Sequence, residues 1–251
     1  MWYKSSAEAD AEAPSAGVDP RLFFYGRIMC QASIFCDEAG EQDMSDGYYL
    51  LTLVMHDQSN RIDDAVKDYE GRLRLEGLPN IAFHMVDLLH GHGDYEGLDT
   101  RIRWSLLLRF SAFVRRLSVR YHTFTYSAYD VAGADALSAR MRRDMADFLY
   151  SRLSTFQSFE TVVVYYDQGQ QAVTNALHRA FDYMLGDGVV DYRLISYQER
   201  RLAQVADYLS SIELAGMRFE TGNVSRTYDR FYGTRGEFRR NFLKQVRRKL
   251  M

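Results

Sequence analysis

The residues best suited to do chemistry in this chain are acidic, and the first two stand in Ser33-Ile34-Phe35-Cys36-Asp37-Glu38-Ala39-Gly40. Four small or apolar residues run straight into two carboxylates and a glycine. Such a run reads as a buried strand, and the glycine marks the turn that ends it. Asp37 then falls at the strand's carboxyl end, where a sheet presents charge to a ligand. Side chains alternate across a strand, so Asp37 and Glu38 need not serve one site. Adjacent carboxylates repel, and if partly buried they require protons, cationic partners or a metal. The plainer reading is a pair of solvated turn residues.

A second apolar run, Thr161-Val162-Val163-Val164-Tyr165-Tyr166, is the most strand-like stretch in the chain, and Asp167 follows it directly. If the two strands lie side by side in parallel, Asp37 and Asp167 share one edge of the sheet. Asp167 could equally cap the helix that comes next. The third carboxylate is in Leu202-Ala203-Gln204-Val205-Ala206-Asp207-Tyr208-Leu209. Leu202, Val205, Ala206, Leu209 and Ile212 recur at helical spacing and define an apolar face. Asp207 sits one step from that face, with Gln204 three residues earlier on its own side. Its plainer reading is a surface aspartate paired with Arg200 or Arg201.

These three segments, Asp37-Glu38-Ala39-Gly40, then Asp167, then Gln204-Val205-Ala206-Asp207, occur in the order and spacing of the DUF3800 family, which the chain resembles over roughly residues 28–214. The resemblance implies a ribonuclease H-like sheet whose acidic cluster holds divalent metal. Asp37, Asp167 and Asp207 would be the ligands, and Glu38 a further catalytic carboxylate. Oxygen ligands suit Mg²⁺ or Mn²⁺. Two such ions about 4 Å apart can clamp the attacking and leaving oxygens of a phosphodiester. Fold alone does not fix an activity, so a ribonuclease H-like binding module that cuts nothing is the alternative. An aspartyl phosphatase fits less well, because the Asp-x-Asp spacing of the haloacid dehalogenase type is missing.

His84 opens a second constellation with Asp87, His90 and His92. The spacing matches no zinc pattern, so one core histidine and two loop histidines is the simple reading. A middle reading puts His84 beside the acids, shuttling a proton or contacting phosphate. Basic residues crowd the end of the chain, Arg239, Arg240 and Lys244 among them, with Tyr228, Phe231, Tyr232, Phe238 and Phe242 interleaved. Such a stretch can track a phosphate backbone and stack bases. It can also be an amphipathic helix that packs its aromatics and leaves its charges in water.

The elements that must position these residues follow from periodicity. The expected strands are 28–36, 48–55, 81–86, 121–126, 161–166 and 189–196. The expected helices are near 62–77, 100–117, 133–156, 170–185, 199–214 and 226–250. A hairpin followed by strands alternating with helices implies an α/β fold with a mixed sheet covered by helices. We expect a flexible tail over 1–21, the main domain over 22–220 and a basic helical extension over 221–251. Hydrophobic residues are 47% of the 251, enough for a sizeable core. The net charge of −3 excludes a globally basic nucleic-acid binder but not a local basic surface. Cys30 and Cys36 are the only cysteines and should be reduced. No apolar run is long enough to span a membrane. The expectation is a cytoplasmic protein that binds RNA or DNA, not a membrane, with room for a homodimer.

Overall fold

Five strand-forming runs supply the centre of the molecule. The computed structural model describes residues 30–40, 47–127, 133–167, 170–186, 188–195 and 201–251. The tail expected over 1–21, the start of the expected first strand and the polar turn after Gly40 lie outside these residues. β1 (Gln31–Gly40) and β2 (Tyr48–Asp57) pair antiparallel, from Ala32 opposite Asp57 to Gly40 opposite Tyr49. β3 (Arg120–Ser127) is antiparallel to β2. β4 (Thr161–Tyr166) lies parallel to β1, and β5 (Val190–Leu194) lies parallel to β4. The strand order is β3-β2-β1-β4-β5. The sheet is therefore mixed, a hairpin first and parallel strands after, consistent with a ribonuclease H-like fold.

β1 runs four residues further than its apolar stretch predicts. Asp37 to Gly40 stay paired with β2, whereas the ladder to β4 ends at Phe35 opposite Tyr165. Asp37 and Asp167 each lie two residues past that last pair. Gly40 closes the strand at φ +87°, and a Cβ there would meet the Tyr48 carbonyl oxygen at 2.2 Å, so glycine is required.

Alternation along the strands builds two cores. Phe35, Val163 and Tyr165 face α1 (Asp63–Leu75), α2 (Met85–His90), α3 (Thr100–Arg116) and α7 (Arg201–Thr221). Ile34, Cys36, Val164 and Tyr166 face α4 (Ala134–Ser151), α5 (Leu153–Phe156) and α6 (Gln171–Leu185). Each fully buried large apolar side chain contributes about 1.5–3 kcal/mol to such layers.

The strand expected over 81–86 does not form. Residues 81–84 are irregular and Met85 opens α2. The apolar run is buried by a helix: Phe83 stacks on Phe110 with ring centroids 3.9 Å apart. The Met85 N–H donates to Asp207 Oδ2 at 2.7 Å instead of to a neighbouring strand. Short apolar runs carry this ambiguity because burial, not backbone type, selects them.

α7 extends past the expected end at 214 and is buried nearly all round from Leu202 to Gly216. A second layer covers its outer side. The basic stretch after it is not one helix. It is α8 (Arg226–Tyr232), α9 (Arg235–Phe238), a π turn (Arg239–Leu243), α10 (Lys244–Val246) and a 3-10 turn (Arg247–Lys249). Its aromatics Phe231, Tyr232, Phe238 and Phe242 are buried against the α7 core, while Arg239, Arg240 and Lys244 are exposed. Beyond it, the Met251 N–H donates to the Tyr121 carbonyl at 3.0 Å, so the chain's last residues lie along β3. Glu213, buried on α7, accepts from Tyr121 at 2.7 Å and from Arg247 at 2.8 Å. No helix among the described residues is long and apolar enough to cross a membrane.

Arg247→Ala removes the one cation paired with Glu213 among the described residues. The guanidinium is 44% exposed, which places the cost below that of a fully buried pair. We expect a loss of about 1–2 kcal/mol in chemical denaturation. An unchanged denaturation midpoint would show that the extension is not tied down through this pair.

Candidate functional site

The site begins where β1 outlasts β4. Asp37 continues the face of Ser33 and Phe35, which is the face α7 covers. α7 runs across β1 and presents Asp207 and Ser210 to it. Asp207 is 7% exposed and Asp37 Oδ2 is sealed from solvent. Burial, then repulsion from Asp207, Asp167 and Glu38, pushes the Asp37 carboxyl well above the usual aspartate range. The Ser210 hydroxyl lies near enough to ease the ionised form. Yet neither Ser210 Oγ nor Asp37 Oδ2 reaches a partner at hydrogen-bond length among the described residues.

Asp207 is better supported. It accepts from Met85 N–H at 2.7 Å and from Ser211 Oγ at 3.4 Å. Burial still pushes it up to about 6, against the opposing pull of His84 and these two donors. Arg201 does not neutralise it. That guanidinium binds Glu70, Asn80 and Gln204 instead, which also accounts for Gln204. His84 lies within electrostatic reach of Asp207, with Nδ1 2.9 Å from Asp87 Oδ2. His90 and His92 stack on each other, centroids 5.8 Å apart.

Glu38 points the other way. It lies on the α4–α6 face, where Tyr49 donates to Oε2 at 2.5 Å and Tyr166 donates to Oε1. Asp167 is exposed and lines a cleft of about 590 Å³ with Tyr166, His178, Tyr192 and Arg193. Cys36, on the same α4–α6 face as Glu38, is a free thiol pushed well up by burial and then by its acidic neighbours. It is therefore a poor nucleophile.

The fold thus brings Asp37, Asp167 and Asp207 together as interacting charges. Among the described residues, however, no three His, Cys, Asp or Glu side chains are placed to hold one metal ion. The donor chemistry, all carboxylate oxygen with one orphaned buried atom, suits a hard cation. The arrangement as it stands is two carboxylates within electrostatic reach of each other with a third at the rim.

A second feature lies on the far side of α7. A groove of about 620 Å³ runs between α3 and the C-terminal segments. Arg115, Arg230 and Arg240 line it, with Trp104, Phe231 and Tyr232. All three guanidiniums are exposed and none makes an ion pair or donates a hydrogen bond among the described residues. Trp104 is 43% exposed. Glu237 also lines the groove, but its carboxylate is taken up by the Thr234 N–H and hydroxyl. Tyr232 connects the two features, since its hydroxyl meets Met85 Sδ at 3.4 Å and the Met85 N–H holds Asp207.

Several of these residues escape a reading of the sequence. Ser210 and Ser211 follow Asp207 at helical spacing of three and four, a signal that would have found them. Tyr49, Met85 and Trp104 carry no local signal, because only tertiary contact selects them.

The raised pKa values have a stability consequence of fixed sign. The folded chain keeps a proton on Asp207 between 3.8 and about 6, where the unfolded chain has lost it. Stability therefore falls as pH rises through that window and levels off above it. Asp37 is shifted in the same direction. Asp37→Asn should raise the melting temperature at neutral pH by at least about 2–4 °C, the shift that 1 kcal/mol gives in a chain of this size. The gain should vanish in acid below the ordinary aspartate value. A variant that melts lower at neutral pH would show that Asp37 is stabilising where it stands.

No protein-family profile matches the chain, and no curated protein does. A chain in the solved structure titled "Structure of the PCNA:RNase HII complex from Archaeoglobus fulgidus" is similar at 14% identity and a TM-score of 0.40, covering 87% of this chain and 89% of that one. A likeness of that degree transfers no function. The DUF3800 resemblance accordingly rests on its three motifs.

Proposed function

We propose that this chain is a nucleic-acid-binding module of ribonuclease H-like fold, gripping a single strand in the groove between α3 and the C-terminal segments. The observation that carries this reading is the set of three exposed guanidiniums, Arg115, Arg230 and Arg240, around an aromatic floor, with no salt bridge to any of them among the described residues and only the electrostatic pull of Glu237 on Arg240. Exposed arginines outside salt bridges attract phosphates, and a ring beside them offers a stacking surface that accepts any base. Trp104 supplies that ring. Arg239 and Lys244, exposed on the same stretch as Arg240, extend the positive surface. The net charge of −3 makes this concentration of cations local to one face.

A second reading is favoured by one observation, the buried and unpartnered Oδ2 of Asp37 beside Asp207. Uncompensated carboxylates in a cleft mark functional sites more often than structural ones. In this reading Asp37 and Asp207, joined by Asp167, take up Mg²⁺ or Mn²⁺ together with a substrate phosphate, and the chain hydrolyses a phosphodiester. Magnesium commonly keeps several waters and needs only one or two protein carboxylates.

Fluorescence anisotropy with labelled single-stranded RNA and DNA tests the first reading. Each of Arg115→Ala, Arg230→Ala and Arg240→Ala should lower the slope of log K against log salt by about 0.7, one phosphate contact on a single strand. Trp104→Ala should weaken binding by about 1–3 kcal/mol. Absence of binding at low salt rejects the module. For the second reading, Mn²⁺ titration by calorimetry should give heat that Asp37→Asn abolishes, and nuclease activity should be lost with it. Equal cleavage by the Asn variant rejects the carboxylate assignment, and tight binding without cleavage or metal uptake leaves the module alone.

A further inference from the structure

The two edges of the sheet are finished differently. On the β3 side, Leu250 bridges Tyr121 and Met251 donates to its carbonyl, so the chain's own end lies on that edge. On the β5 side no strand follows among the described residues. The ladder fixes which backbone groups are left over. Val162 N–H donates to the Val189 carbonyl at 2.9 Å, and Val162 is the Cα partner of Val190. In a parallel ladder this turns the N–H and C=O of Asp191 and Arg193 toward β4. The same groups of Val190, Tyr192 and Leu194 then point outward.

Proteins normally blunt such an edge with charge, proline or a bulge. The charges on β5 are arranged to do the opposite. The strand reads Val190-Asp191-Tyr192-Arg193-Leu194, which is self-complementary about its centre. We propose that β5 is a homodimer interface, in which two copies pair antiparallel about a two-fold axis through Tyr192 and join their sheets edge to edge. In that register Tyr192 exchanges both backbone hydrogen bonds with its symmetry mate, and Val190 exchanges both with the mate's Leu194. Asp191 stands directly opposite the mate's Arg193, twice over, in the close non-hydrogen-bonded positions where side chains interact most.

The alternatives select against themselves. Only outward-facing residues can form the hydrogen-bonded pairs, so the register moves in steps that place Asp191 opposite Asp191 or Arg193 opposite Arg193. Both oppose like charges. In the single chain Asp191 and Arg193 pair with each other along the strand, at 2.7 Å, and dimerisation exchanges these two solvent-exposed contacts, one per copy, for two cross-strand ones. Apolar surface accompanies the edge. Leu194 is 69% exposed, and Tyr183 on α6, next to the Asp182 that holds the Tyr192 hydroxyl, is 84% exposed. This interface is separate from the arginine groove, although Tyr192 and Arg193 also border the cleft that Asp167 lines, and it depends on no function of either.

Sedimentation equilibrium of the full chain from micromolar to near-millimolar concentration should show a monomer–dimer equilibrium. Asp191→Arg and Arg193→Asp should each weaken it by about tenfold or more, because both cross-strand pairs become like-charged. The double exchange, D191R with R193D, should restore it. Circular dichroism checks that each variant is folded. Amide exchange on the unaltered chain gives a second measurement, with Val190, Tyr192 and Leu194 gaining protection as concentration rises. A monomer at every concentration, a dimer indifferent to the single reversals, or a folded double variant that stays monomeric would each overturn the proposal.

Discussion

The packing of β1 against α7 brings Asp37 and Asp207 within electrostatic reach of each other, and the burial of those two carboxyl groups is the constraint on which the rest of the site depends. Among the described residues, which do not include Arg200, neither carboxylate has a cation of its own apart from the influence of His84 on Asp207. A core of this quality could have excluded them, since almost every other position on that stretch of α7 is apolar or satisfied. The sheet and helix instead hold two acids in place and leave part of the cost standing, which makes this position the candidate site.

Comparison within the molecule sharpens this. Glu213 lies on the same helix, is equally buried, and is neutralised by Arg247 with Tyr121 assisting. Glu38 sits next to Asp37 in sequence, yet two tyrosine hydroxyls hold it on the other face of the sheet. The fold therefore has the means to satisfy a buried carboxylate by a cation or by neutral donors. Among the described residues it sets only the nearby Ser210 hydroxyl beside Asp37, and a backbone N–H and a serine at Asp207. Difference in treatment, not acidity as such, separates the candidate site from structural carboxylates.

The C-terminal segments serve the core and create the basic groove in one packing event. Their aromatics close over α7, with Leu243 settled against Gly216, where a Cβ would meet it at 3.2 Å. Burial of the rings leaves Arg230 and Arg240 stranded at the surface opposite Arg115 of α3. The rings are core, as the amphipathic reading of that stretch expected, and the charges they carry outward collect along one groove.

Local pattern determined the hairpin, the parallel strands and most helices, because strands and helices this apolar have few other ways to bury themselves. It also set Asp37 and Asp167 level with each other on neighbouring strands, each two residues past the last β1–β4 pair, although β1 itself runs on to Gly40. Tertiary structure alone decided the rest. It turned residues 81–84 from an expected strand into an irregular segment before α2, because Phe83 found Phe110 and Met85 found Asp207. It buried α7 on every side, which no helical periodicity foretells when the covering layer arrives from later in the chain. It also sent Glu38 to the opposite face from Asp37 and chose its tyrosine partners from 11 and 128 residues away. Spacing along a chain fixes which way a side chain points, but the partner it meets there depends on contacts between distant segments, and those exist only after folding.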